Sequence, residues 1–390
     1  MNWENCISPA VNAIAPSGIR KFFDIAAEMD DVISLGVGEP DFVTPWSIRE
    51  SCVYGLEQGY TSYTANRGLL ELRQEIVQLH KNRYDLDYSA AQDVLVTVGV
   101  SEGLDLAMRA IITPGDEVLI PEPCYVSYKA CVILAGGTPI AVPAKIENEF
   151  RITPAELEEY LTPKTKALLI GYPNNPTGAV MRRADLLAIA DFAEKQDLIV
   201  ISDEIYGDLT YSTEEHICFA ALPHMKDRTI LLNGFSKAYA MTGWRIGYAL
   251  ANPILIAAMT KVHQYTMLCA PVTAQIAAIE ALRHGEKYMK KMVSEYDKRR
   301  HFIYDGLTKI GFECFEPKGA FYIFPNVRSL GYSSEMFAEE LLMSERIALV
   351  PGNAFGDCGE GYVRCSYATS VSNISEALAR IENFVKHHKK

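Results

Sequence analysis

The chain has 390 residues, enough for roughly two to three domains, and its 49% hydrophobic and 22% charged content excludes disorder and collagen-like or linker-rich classes. Its 37 Lys+Arg against 49 Asp+Glu leave a formal net charge of −12, a poor basis for binding nucleic acid. No apolar run approaches the ~18 residues of a membrane span. The opening MNWENCISPA lacks a basic stretch followed by an apolar one, so no signal peptide is expected. Nine scattered cysteines without a CxxC pair read as reduced thiols of a cytoplasmic protein. Eight histidines without an HExxH pattern predict no metal site.

The first 45 residues show no strand–helix rhythm of their own. Further on, Val94 to Val98 (VLVTV) reads as a buried strand, followed by a helix from about Ser101. A strand over Glu117–Ile120 and a helix over Tyr125–Leu134 come next, then a strand over Lys166–Ile170 and a helix over Arg183–Lys195. Leu198–Ser202, Thr229–Asn233 and Arg245–Leu250 are three more predicted strands. Continuous Val/Ile/Leu strands separated by helices predict a mostly parallel sheet covered on both faces, an α/β fold. The last hundred residues differ. They comprise a long amphipathic helix over Tyr288–Leu307, a strand at Phe321–Pro325 and a helix near Ser334–Ser344. An apolar Ile347–Pro351, a strand over Tyr362–Ala368 and a helix from Val371 complete them. This reads as a smaller α+β domain, against which the first 45 residues are expected to pack.

In such a sheet, ligands bind outside the carboxyl ends of the strands, so the residues that follow each apolar run matter most. After VLVTV, Gly99-Val100-Ser101-Glu102 opens a helix. Its free N–H groups suit a phosphate, or Ser101 is an ordinary cap. After KALLI comes Gly171 to Gly178 (GYPNNPTG), a stiff loop holding the Asn175 amide at the sheet edge, or a plain turn. After LIVIS come Asp203 and Tyr206. A buried aspartate is costly without a cation or donors, and a ligand nitrogen that must stay protonated would serve. After TILLN come Ser236 and Lys237. Burial lowers a lysine pKa and makes the amine nucleophilic. Arg245 follows eight residues later, with a fork for phosphate or carboxylate. A nucleophilic lysine with an aspartate for a pyridinium nitrogen is what pyridoxal phosphate requires.

On these motifs the sequence resembles the fold-type I, class I/II aminotransferases that use pyridoxal phosphate. The likeness spans essentially the whole chain and is nearest to the aromatic and broad-range enzymes. It is carried by GVGEPDF (Gly36 to Phe42), YTANRGLLELR (Tyr63 to Arg73), PEPCYVSY (Pro121 to Tyr128), PNNPTG (Pro173 to Gly178), SDEIY (Ser202 to Tyr206), GFSKAYAMTGWRIG (Gly234 to Gly247) and YVRCSYA (Tyr362 to Ala368). The resemblance implies a seven-stranded large cofactor domain over 46–285 and a small domain from 1–45 and 286–390. It implies that Lys237 forms the cofactor imine and shuttles the proton, and that Asp203 pairs with the ring nitrogen. Tyr206 and Asn175 would donate to the phenolic oxygen, Tyr125 would stack on the ring, and Ser236, Arg245, Val100 and Ser101 would hold the phosphate. Gly38, Asn175 and Arg364 would bind the substrate carboxylate. Tyr63 would reach the phosphate of a neighbouring subunit, which implies a homodimer with shared sites.

The activity implied is transfer of an α-amino group from an aromatic or broad range of amino acids to a 2-oxo acid such as 2-oxoglutarate. Ser101 stands where some dicarboxylate-specific relatives carry lysine, which weakens an aspartate-specific reading. β-Elimination (a C–S lyase), or specificity for aspartate, alanine or a biosynthetic diamino acid, are the alternatives on the same motifs. A transcription regulator with an aminotransferase-like domain would need a DNA-binding domain ahead of Gly36, and a nicotinamide dehydrogenase would need GxGxxG. Neither is found. No nucleic-acid or membrane partner is expected.

Overall fold

In the computed structural model, which describes residues 3–15, 29–211 and 215–387, the apolar runs of the middle of the chain become strands of one sheet. After a short β1 (Ile33–Ser34), these are β2 (Val94–Thr97), β3 (Glu117–Glu122), β4 (Thr138–Pro143), β5 (Thr165–Gly171), β6 (Ile199–Asp203), β7 (Thr229–Gly234) and β8 (Gly247–Leu250). Their spatial order is β2-β8-β7-β6-β5-β3-β4. Only β8 runs against its neighbours, and every other pair is parallel. The two faces bury alternate residues. Val118, Ile120, Leu169 and Ile201 pack with Leu104 and Met108 of the helix Gly99–Ile111 and with Met259 of Pro253–Thr266. Leu119, Leu168 and Val200 pack with Leu186 and Ile189 of Arg183–Lys195. Helices on both faces explain why these strands are apolar throughout.

Two departures from the sequence reading stand out. Thr138–Pro143 (TPIAVP) was not expected as a strand. It forms the sheet edge beside β3, where proline's missing N–H does no harm. The strand expected to open at Arg245 opens at Gly247, because Arg245 takes a left-handed φ of 52° that turns its side chain away from the ladder.

The C-terminal part carries β9 (Tyr322–Ile323), β10 (Ile347–Ala348), β11 (Val350–Pro351) and β12 (Val363–Ser366). The expected Ile347–Pro351 run divides between two sheets: β10 pairs in parallel with β1, and β11 joins the antiparallel sheet β11-β12-β9. The β1–β10 pairing ties residues near Ile33 to the C-terminal region. The last helix, Val371–His387, buries Ile374, Ala377, Ile381 and Phe384, a 3–4 spacing that forms one apolar stripe. Cys52, Cys124, Cys131, Cys218, Cys269, Cys314, Cys358 and Cys365 are free thiols. Among the described residues no helix is long and apolar enough to cross a membrane.

Candidate active site

Parallel strands bring their carboxyl ends to one edge. Gly171 at the end of β5 is in register with Asp203 at the end of β6, and Asp203 with Leu232 of β7. The segments that follow therefore leave the sheet side by side. Because β8 turns back, Gly234 faces Gly247, and the loop between them returns Arg245 to the same edge. Eleven residues singled out from the sequence line one cavity of about 350 Å3 there: Gly38, Val100, Ser101, Tyr125, Asn175, Asp203, Tyr206, Ser236, Lys237, Arg245 and Arg364.

One rim gathers N–H donors and a guanidinium of the kind that suits an anion. The first turn of Gly99–Ile111 presents N–H groups with no carbonyl partner inside the helix. Gly99 has φ +76°, and a Cβ there would lie 2.8 Å from Nη2 of Arg245. Glycine alone lets the guanidinium close on the helix start. Arg245 Nη1 donates to the Thr242 carbonyl at 3.1 Å. Ser236 borders the same rim, 9% exposed.

Across the floor, Asp203 is buried. Its Oδ2 accepts from the Tyr128 hydroxyl at 2.8 Å and its Oδ1 from the Ile205 N–H at 3.2 Å. Burial pushes its carboxyl up to about 6, against the pull of those two donors. Tyr128 reaches it over Gly171, where a Cβ would fall 2.1 Å from the phenol oxygen. The Tyr125 ring meets Tyr128 edge-on, centroids 5.7 Å apart. Lys237, opposite, donates from Nζ to the Gly38 carbonyl at 2.6 Å. Loss of solvent, with the Arg364 charge second, brings its amine down to about 8.

The other wall belongs to β12. Arg364 is 3% exposed. Its Nη1 donates to Oδ1 of Asn175 at 2.9 Å and its Nη2 to the Gly36 carbonyl at 2.6 Å, while Nε is buried without a partner. Since the asparagine oxygen takes the arginine N–H, the Asn175 Nδ2 donors are turned elsewhere. The guanidinium carbon lies 4.4 Å from the Tyr322 ring centroid and 4.8 Å from that of Phe355. Tyr206 and Tyr322 share a hydroxyl–hydroxyl bond of 2.9 Å.

Tyr63 is the exception. It is 83% exposed and borders a separate surface groove with Tyr60 and Pro271, so this subunit's own cavity does not receive it. Sequence reasoning missed Tyr128 and Tyr322. Tyr128 had a signal, since it stands three residues from Tyr125 and so shares a helical face. Tyr322 had none, because FYIF reads as a core strand.

Residues 30–381 match the family described as Aminotransferase class I and II. The YugH protein of Bacillus subtilis (strain 168) is 55% identical over 379 residues, covering 97% of this chain and 98% of that one. The aspartate aminotransferase of Pyrococcus abyssi is 46% identical, covering 98% and 99%. The crystal structure of the aromatic aminotransferase from Pyrococcus horikoshii superposes with a TM-score of 0.91 at 44% identity, covering 95% of this chain and 99% of that chain.

Proposed function

The chain belongs to the aminotransferase class I and II family, and on that footing we propose that Lys237 carries its cofactor and that aromatic and other apolar amino acids are its preferred donors. As an aminotransferase it moves the α-amino group of an amino acid to a 2-oxo acid, with pyridoxal phosphate as cofactor. When bound, that cofactor supplies an aldehyde carbon for the amino group and a cationic ring that draws off the electrons left by deprotonation.

The residues suit such a group. Asp203 is a buried carboxylate whose hydrogen bonds come from Tyr128 and Ile205, neither of them a cation, and a protonated ring nitrogen is the partner it lacks. Arg245, Ser236 and the amides of Val100 and Ser101 form a cradle that fits a phosphate. Tyr206 and the Nδ2 of Asn175 are the donors for a phenolic oxygen, and Tyr125 offers a ring face. Lys237, with an amine near 8, is neutral often enough at physiological pH to accept the α-proton. Arg364 spreads a planar fork, with Nε free of other partners, toward the α-carboxylate, and the Gly38 backbone is proposed to meet the same group.

The observation that carries the donor preference is the allotment of cations. Among the described residues, the three that line the cavity, Lys237, Arg245 and Arg364, each have a task, which leaves none of them for a side-chain carboxylate. Leu104, Ile205 and Pro173 add apolar wall, and burying an aromatic side chain there stabilises the complex by roughly 2–3 kcal/mol. A second reading, aspartate as donor, has the Pyrococcus abyssi relative in its favour. Rates with a donor panel and 2-oxoglutarate decide between them. Phenylalanine and tyrosine should lead in kcat/KM. An advantage of more than about tenfold for aspartate or alanine, ~1.4 kcal/mol in the transition state, would overturn the aromatic reading. Pyruvate release from cystathionine tests the lyase alternative.

The same reading extends to the assembly. A large cofactor domain over 46–285 and a small domain from 1–45 and 286–390 close on the cavity. Two copies form a homodimer, with Tyr63 of each completing the other's phosphate site. Eight free cysteines, Cys52 to Cys365, suit the reducing cytoplasm proposed as its location.

A further inference from the structure

We infer that Tyr322 is a positioning residue that couples the carboxylate clamp Arg364 to the donor Tyr206, one buried side chain fixing both. The inference rests on the roles proposed above for those two residues. Tyr322 lies in β9, 1% exposed. β9 pairs with β12 so that Tyr322 faces Ser366, and Arg364, two residues along, projects on the same face as Ser366. The register therefore lays the guanidinium against the tyrosine ring, 4.4 Å from its centroid. Gly38 closes over the hydroxyl, since a Cβ there would come within 2.7 Å of the oxygen. The Tyr322 hydroxyl is thus confined beside that of Tyr206, 2.9 Å away.

A phenol has one proton to give. When Tyr206 donates its proton to an acceptor in the cavity, the bond between the two tyrosines is made only by the Tyr322 proton, given to the Tyr206 oxygen. Tyr322 therefore sets the direction in which Tyr206 donates. Its ring performs a separate task, holding the fork of Arg364 flat by cation–π attraction. The two tasks belong to different parts of one side chain, so two substitutions separate them. Tyr322→Phe removes the hydroxyl and keeps the ring, whereas Tyr322→Leu removes both, with Tyr322→Met as a second apolar variant should the leucine chain not fold.

The holoenzymes are compared in two measurements. One is the Kd of the unreactive carboxylate 3-phenylpropanoate, by calorimetry. The other is the pH midpoint of the bound cofactor's absorbance. Tyr322→Phe should leave the Kd within about twofold and move the midpoint to higher pH by about half a unit or more, because Tyr206 then holds the phenolic anion less well. Tyr322→Leu or Tyr322→Met should move the midpoint likewise and also weaken the Kd by about three- to thirtyfold. A midpoint unchanged in Tyr322→Phe, or a Kd unchanged in the apolar variants, would overturn the inference. A residue of the core alone would move neither quantity selectively. Arg364→Ala serves as the reference, and should it bind 3-phenylpropanoate as tightly as wild type, the clamp assignment fails first and the coupling with it.

Discussion

Asp203→Asn should make the apoenzyme more stable while disabling the enzyme. Burial raises the folded-state pKa of Asp203 to about 6 from an ordinary 3.8. Between those values the folded chain keeps a proton that the unfolded chain has released, so stability falls as pH rises through the window and remains lower above it. A difference of about 2 pH units corresponds to roughly 3 kcal/mol at neutral pH. Asparagine cannot ionise; its carbonyl can still accept from Tyr128, 2.8 Å from the carboxylate, but its amide nitrogen cannot accept from the Ile205 N–H that the other carboxylate oxygen holds, which costs about 1 kcal/mol. Urea unfolding of the two apoenzymes near pH 7.5 should therefore favour the variant by about 1–2 kcal/mol, an advantage that is gone near pH 4.5. The same change should remove most transamination, because a neutral amide cannot hold the ring nitrogen protonated. Equal or lower stability of the variant near neutral pH, or a gain that does not vary with pH, would refute the argument.

Lys237→Ala should abolish both transamination and the absorbance shift of bound pyridoxal phosphate; near-wild-type turnover would remove Lys237 from its role. Arg364→Ala should raise KM for every donor alike, by roughly ten- to a hundredfold for the loss of charged hydrogen bonds, and a penalty confined to one donor would point to the side-chain pocket instead. Tyr128→Phe deprives Asp203 of a donor, so the acid-side loss of pyridoxal phosphate affinity, measured by fluorescence titration of the apoenzyme, should begin about one to two pH units higher; an unshifted acid limb would leave Tyr128 a packing residue. Sedimentation at micromolar concentration should find a dimer, and a fully active monomer would dispose of the role given to Tyr63.

Strands buried on both faces announce themselves, and their ends announce the polar residues that cannot lie in a core. Asp203 and Lys237 were legible for that reason, each the first charged residue after or at the end of an apolar run. Arg364 was legible mainly through the family motif around it, since an arginine in YVRCSYA has no local rule that turns it inward. What stayed hidden depends on register. Tyr322 meets Arg364 only because β9 and β12 pair as they do, and no single segment contains that fact. The edge strand Thr138–Pro143 stayed hidden for another reason: its prolines argue against a strand until its edge position is known. The left-handed turn at Arg245 runs against the preference of the residue itself, so local propensity does not reveal it.

With β8 folded back on β7, Lys237 and Arg245 ride on a single hairpin closed at its base by Gly234 and Gly247. Their separation is set by the path of residues 235–246 and not by the spacing of the sheet. One loop therefore places both the Lys237 amine and the Arg245 guanidinium. A residue inserted between them would mis-set both ends, while Asp203 and Arg364, carried by strands elsewhere, stayed where they were. Variation that keeps chemistry has to respect the length of that hairpin, and freedom to change substrate is left to the walls around it.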